Sequence, residues 1–225
     1  ACGLKRGFSF FHHRAGQAYE PGFIRENELL VAASPSESLA DTHWYRPGFD
    51  QFLVEQAVGM GVQYRDRTTI LSVCETLDGI RLEADWGVGP TCFQAEMIID
   101  ASGPRGALFR HFNVSKGDTS ELPTTQAIFT HFHGVRSCSQ LEEFASNNEA
   151  PYGVDDAAVH HVFTQGWLWA LRFNQGVTSA GVVASSHLIG ESLYSDPEDF
   201  WLQFLARYPT LKRMFSAATR AEDFR

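Results

Sequence analysis

No run in the 225 residues approaches the roughly 20 consecutive apolar side chains that a membrane-crossing helix needs, so no membrane span is expected. Positive charge is also scarce. Lys and Arg total 18 against 27 Asp and Glu, a net charge of −9, and such a field repels a phosphate backbone, so nucleic acid is not expected as a partner. The opening residues Ala1 to Arg6 lack the charged start and apolar middle of a signal peptide. Cysteine is sparse: Cys2, Cys74, Cys92 and Cys138 are scattered and form no C-x-x-C pair. They read as buried reduced thiols of a cytoplasmic protein rather than as disulfides or a metal site. Repeats and low-complexity tracts are absent as well. What is present is ordinary globular composition, 44% apolar and 20% charged, in a length suited to one large domain or one and a half ordinary ones. Aromatics reach 13%, with 18 Phe, which favours an aromatic-lined core or pocket.

Residues 1–45 read as extended and loop segments, with strand-compatible Phe8, Phe10 and Ile24 and a short apolar run from Glu28 to Ala33 that Ser34-Pro35-Ser36-Glu37-Ser38 breaks. A helix is predicted from Pro47, whose missing N–H is tolerated at a first helical position. Phe49, Phe52, Leu53, Gln56, Ala57 and Met60 follow at helical spacing, and Gly59 and Gly61 close the segment. Strands are then predicted at Gln63–Tyr64 and Thr69–Val73. Asp78-Gly79 is a hairpin signal leading into alternating Ile80–Ala84. Phe93–Asp100 reads as a further strand whose apolar tip suggests burial on both faces.

The second half changes character. Ala127–Val135, Ala158–Thr164, Trp167–Phe173 and Thr178–Ala184 are strand candidates, with Asn174-Gln175-Gly176 as a hairpin connection. They predict a largely antiparallel sheet that could roof a pocket. Ser195-Asp196-Pro197-Glu198-Asp199 starts a helix with a capping side chain, a proline and acids near the positive end of the dipole. Phe200, Phe204, Leu205 and Tyr208 give its apolar stripe, and it stops before Pro209.

Three motifs in this order carry a resemblance. Trp44-Tyr45-Arg46-Pro47-Gly48-Phe49-Asp50-Gln51-Phe52-Leu53, running on to Ala57 and Gly61, is the first. Ile98-Ile99-Asp100-Ala101-Ser102-Gly103-Pro104-Arg105-Gly106 is the second. Gly166-Trp167-Leu168-Trp169-Ala170-Leu171, followed by Asn174 to Val183, is the third. Together they resemble the middle of an FAD-dependent monooxygenase or flavin-dependent halogenase of the para-hydroxybenzoate-hydroxylase type. The first two motifs are shared across that flavoprotein superfamily, and the third points more narrowly to halogenases.

The resemblance implies FAD as cofactor, a small-molecule substrate, and flavin-driven oxygen chemistry. With halide, such enzymes make hypohalous acid. Without it they hydroxylate, and a geranylgeranyl-reductase-like branch reduces double bonds. It also implies a fold of α+β or α/β class, with a partial FAD-binding domain over 1–110 followed by a mainly antiparallel substrate domain and C-terminal helix over 111–225. Arg46 would contact the cofactor, its guanidinium suited to a diphosphate. Asp100, Ala101, Ser102 and Gly103 would approach the adenosine half, where small residues let backbone come close to a ligand. Trp167 and Trp169, two apart on a strand, would share a face and wall the substrate, although ordinary core packing asks for the same pair. The family's pocket lysine stands near a comparable aromatic strand. Lys5, just before Phe8–Phe11, is the candidate catalytic residue, with a surface lysine near a chain end as the alternative.

Two departures stand out. Leu171-Arg172 replaces the Ile-Pro that follows W-x-W in the halogenase motif. The phosphate-cradling G-x-G-x-x-G is missing too: Gly59-Met60-Gly61 ends a helix, and Gly87-Val88-Gly89 has Cys92 at the third position. The expectation is a central fragment whose missing segments of the same polypeptide complete the flavin site. A non-redox small-molecule-binding domain is the alternative. His131 and His133, like His12-His13 and His160-His161, lack supporting ligands at metal-binding spacing, so no metal is expected.

Overall fold

A computed structural model describes residues 1–20, 27–103, 106–109, 111–114, 117–118, 120–144, 150–186 and 196–225. Ile24, Pro104, Arg105 and Ser195 lie outside the described residues. The fold is mixed α/β and mostly strand. The chain packs as two compact units, residues 1–50 with 123–225, and residues 51–122. The division therefore does not follow the single break expected after residue 110. The reason is pairing, because the first fifty residues supply strands to the sheet of the second half.

In the larger unit, β1 (Cys2–Lys5) pairs antiparallel with β4 (Asp41–Trp44). A seven-stranded sheet is built from β2 (Phe8–His12), β3 (Glu28–Val31), β8 (Thr125–His133), β9 (Ala158–Phe163), β10 (Gly166–Arg172), β11 (Val177–Ser185) and β12 (Thr219–Arg220), in the order β12-β8-β11-β10-β9-β2-β3. All neighbours are antiparallel except β2 and β9, which run parallel with Phe10 opposite His160. Alternation sets the two faces. Ile128, Phe132, Leu168, Ala170, Ala180 and Val182 are buried on one face, in one cluster with Trp201, Phe204, Leu211 and Met214 of α2 (Pro197–Arg207) and α3 (Pro209–Met214). Asp196 caps α2 as its spacing predicts, its Oδ1 accepting from the Asp199 amide at 2.9 Å. Pro209 ends one helix and starts the next, where its missing N–H costs nothing.

The smaller unit holds most of α1 (Arg46–Gly59) and a three-stranded antiparallel sheet of β5 (Thr69–Thr76), β6 (Gly79–Asp85) and β7 (Thr91–Ala95). The predicted hairpin at Asp78-Gly79 forms, with Gly79 at φ 118°. Two expectations fail here. Gln63–Tyr64 is not strand. The last strand ends at Ala95, so Ile98–Asp100 carries no ladder, and Met97 and Ile99 are exposed rather than doubly buried. No described strand flanks this segment, and without a partner an apolar β-prone run has neither hydrogen bonds nor cover. The apolar stripe of α1 is likewise uncovered, with no residue of the helix buried.

Arg172, which stands where the halogenase motif has proline, ties the larger unit together. Its Nε donates to Asp155 Oδ1 at 3.0 Å, and its Nη atoms donate to the carbonyls of Val135 and Arg136. Asp155 also accepts from the amides of Cys138 and Ser139, at 2.9 and 3.1 Å. Arg172→Ala would leave three acceptors short of a donor. We expect a loss of about 2 kcal/mol, below the figure for a fully buried ion pair because both side chains keep some solvent. Urea denaturation of the two proteins measures it.

Candidate active site

A cavity of about 760 Å³ lies within the larger unit, on the sheet face opposite α2 and α3. Its floor is the outward set of each strand: Phe8 of β2, His160 of β9, Trp167, Trp169 and Leu171 of β10, Ser179 of β11, and Phe129 and His131 of β8. The other wall is Lys5 of β1, Thr42, His43 and Trp44 of β4, and the first turn of α1. Trp167 and Trp169 therefore face the same cavity, while Leu168 and Ala170 between them are buried in the core.

Two glycines make this arrangement possible. A β-carbon on Gly3 would overlap the Arg172 carbonyl oxygen, so only glycine lets β1 close on the end of β10. There the Asn174 amide donates to the Cys2 carbonyl at 2.8 Å. Gly181 sits opposite Trp169, and a β-carbon there would strike the Trp169 ring, Phe129 Cβ and the Ile128 carbonyl. Gly181→Ala should therefore displace the Trp169 indole and cost about 1–3 kcal/mol. An altered tryptophan emission spectrum with a lowered denaturation midpoint is the expected result.

Lys5 enters the cavity wall with its Nζ 2.8 Å from Asp41 Oδ2 and 4.4 Å above the Phe8 ring. The ammonium, helped by the Thr42 amide, holds the Asp41 carboxyl below its ordinary range. Phe10 stacks on His160 at 4.9 Å, and His160 Nδ1 lies 3.0 Å from the Ala158 carbonyl. Burial lowers the pKa of both His43 and His160, and the nearby Lys5 charge acts in the same direction. At the far end of the floor the Tyr45 hydroxyl donates to Glu222 Oε1 at 2.9 Å, and His131 Nδ1 lies 3.6 Å from the same oxygen. The site thus combines a largely aromatic floor, one ammonium and neutral imidazole. That suits an aromatic ring approached by a small polar reagent.

No family model matches the chain. It is 24% identical, over its whole length, to the monodechloroaminopyrrolnitrin halogenase PrnC of Pseudomonas fluorescens, of which it covers 39%. It is likewise 24% identical over 99% of its length to the tetracycline 7-halogenase of Kitasatospora aureofaciens, covering 40%. Among solved structures, halogenase PltM in complex with phloroglucinol and FAD superposes on the full chain with a TM-score of 0.81 at 25% identity, 43% of that protein being covered. The chain is related to the flavin-dependent halogenases. It spans about two-fifths of the length of the halogenases it matches.

Arg46 opens α1 at the cavity edge, but its guanidinium is bound twice by Asp50, at 2.7 and 2.8 Å, a pairing that the i, i+4 spacing offers and the motif reading did not use. Asp100 does not end a strand. It organises an exposed loop, its Oδ1 accepting from the Ser102 amide and hydroxyl at 2.9 and 2.6 Å and its Oδ2 from the Leu108 amide at 2.9 Å. Ala101 and Ser102 lie in that loop, and Gly103 takes φ 90° with open space where a side chain would stand. The sequence holds no loop that would cradle the FAD diphosphate.

Sequence reasoning missed Asp41 and His43, and it weighed His160 as a solvated or hydrogen-bonded strand histidine against a metal ligand, not as part of a cavity. The alternation of β9, with Val159 and His161 buried and His160 facing the cavity, was the signal available. Among the described residues, no three His, Cys, Asp or Glu side chains converge as a metal site would require. No helix there is long and apolar enough to cross a membrane. Cys2, Cys74, Cys92 and Cys138 are free, but Cys74 and Cys92 are exposed rather than buried.

Proposed function

We propose that this chain is the acceptor-side portion of a cytoplasmic FAD-dependent halogenase, with part of the cofactor-side surface. The 760 Å³ cavity is read as the site of a small aromatic substrate. The observation that carries the reading is the convergence of Lys5, Trp167 and Trp169 on one cavity. They are drawn from opposite walls, and two of them belong to the motif that most resembles halogenases.

In this reading Trp167 and Trp169 hold the ring flat by stacking and burial. Lys5 donates from its ammonium to the oxygen of hypohalous acid. As a ring carbon bonds to the halogen, the halogen–oxygen bond breaks with its electron pair on oxygen. That oxygen takes a proton from Lys5 and leaves as water, and the proton then lost from the ring carbon is taken up by the Lys5 amine, which restores the ammonium and the charge balance. Bound FAD supplies the redox chemistry that activates oxygen. Arg46, at the cavity edge, would hold part of it, the remainder of the polypeptide supplying the diphosphate cradle.

The 225-residue chain, titrated separately with phloroglucinol and with FAD, tests this. Tryptophan emission should respond saturably to phloroglucinol, while FAD binds weakly. Tight stoichiometric FAD binding would contradict the assignment of the diphosphate cradle to other segments. Failure to bind any aromatic would contradict the acceptor site itself.

A further inference from the structure

We propose that Nε2 of His160 is the hydrogen-bond acceptor that orients the hydroxyl of a phenolic ring bound in the cavity. The tautomer is set by geometry. Nδ1 lies 3.0 Å from the Ala158 carbonyl, which can only accept, so the ring proton is on Nδ1 and Nε2 carries the lone pair. Among the described residues nothing bonds Nε2, and it is not among the sealed, partnerless nitrogens of the molecule. His43 Nε2 and His131 Nδ1 are sealed in that way, while His131 Nε2, at the far end of the floor, is not.

The imidazole is also held still. Phe10 stacks on it at 4.9 Å and Phe8 at 6.2 Å, both rings coming from β2 in the strand next to β9. Burial lowers its basicity, and the Lys5 ammonium adds to the effect, so the ring is neutral near pH 7 and offers a lone pair rather than a charge. The cations and imidazoles around it, Lys5 and His43, are donors or sealed. His160 is therefore the uncommitted histidine acceptor beside Lys5, Phe8 and the Trp169 side of the floor, His131 lying at its far end. A ring lying against Trp167 and Trp169 with an O–H aimed at His160 satisfies that acceptor, whereas an apolar ring leaves it unpaired.

This rests on reading the cavity as an aromatic acceptor site, and the experiment separates the two. Phloroglucinol and 1,3,5-trimethylbenzene have nearly the same shape, and only the first donates hydrogen bonds. Their affinities are measured by nuclear magnetic resonance titration for the wild-type chain, for His160→Phe and for His160→Gln, with thermal melts confirming that each is folded. His160→Phe should weaken phloroglucinol by about tenfold and leave the trimethyl ring unchanged, the loss expected for one hydrogen bond. His160→Gln, which keeps an acceptor, should restore part of that loss. In the wild type the His160 ring signals should move with phloroglucinol and not with the trimethyl ring. Equal weakening of both probes by His160→Phe, or none of either, overturns the role of His160 while the acceptor site stands. A wild type that binds neither probe overturns both readings.

Discussion

Lys5→Met, made in the enzyme that carries the rest of the polypeptide, is expected to cut halogenated product by about 100-fold or more while flavin oxidation continues at the wild-type rate. Methionine keeps the length and the apolar stem that lies over Phe8, but it offers no donor where charge builds on the departing oxygen. The side chain is only 19% exposed and is fixed by Asp41, so solvent cannot easily replace the lost ammonium. Lys5→Arg should recover little, because a planar guanidinium cannot copy a point charge in that space. Chromatographic product analysis beside oxygen consumption reads both quantities. Full product formation by Lys5→Met would return Lys5 to a surface salt bridge with Asp41 and no part in the chemistry.

Acid should unfold this protein earlier than its carboxylates alone would require. His13 Nε2 and His161 Nδ1 lie 2.9 Å apart in the core of the larger unit, ringed by Phe11, Tyr19, Phe144 and Tyr208. One donates to the other, so the accepting ring is neutral, and their outer nitrogens have no partner among the described residues. Burial brings His13 down to about 3 and His161 well below its ordinary value. Both groups take up protons more readily unfolded than folded. The stability they carry is therefore complete above the unfolded value of 6.5 and is lost as pH falls toward the folded one. Each proton taken up costs about 1.4 kcal/mol per pH unit in that window. Denaturant curves from pH 7 to 5 should show the fall, with His43 and His160 adding to it. His13→Leu combined with His161→Phe should flatten the slope. An unchanged slope in the double variant would show that the pair is not what titrates.

Local chemistry carried much of this fold. Pro47 and the stripe after it mark α1, Asp78-Gly79 marks a hairpin, and Asp196 marks the start of α2, because each depends on a few neighbouring residues. What the sequence hid is long-range. The parallel pairing of β2 with β9 spans about 150 positions and has no turn to announce it. That pairing moves the first residues out of the first domain and brings Lys5, Phe8 and His160 together. The Asp100 segment shows the reverse error. Its apolar residues read as a doubly buried strand, but β-propensity describes fit to neighbours, and none of the described strands lies beside it. The site was half legible for the same reason. Trp167 and Trp169 follow from strand alternation alone, while Asp41 beside Lys5 needs the β1–β4 register.

The central claim is that the cavity holding Lys5, Trp167 and Trp169 receives an aromatic ring. Intermolecular nuclear Overhauser contacts between phloroglucinol and the five indoles test it directly, since the indoles are spread over the molecule. The account predicts contacts to Trp167 and Trp169, and none to Trp201, buried in the core on the other face of the sheet, or to Trp86 in the smaller unit. Contacts to Trp86 or Trp201 in place of these two, or saturable binding with no contact to either Trp167 or Trp169, would contradict it.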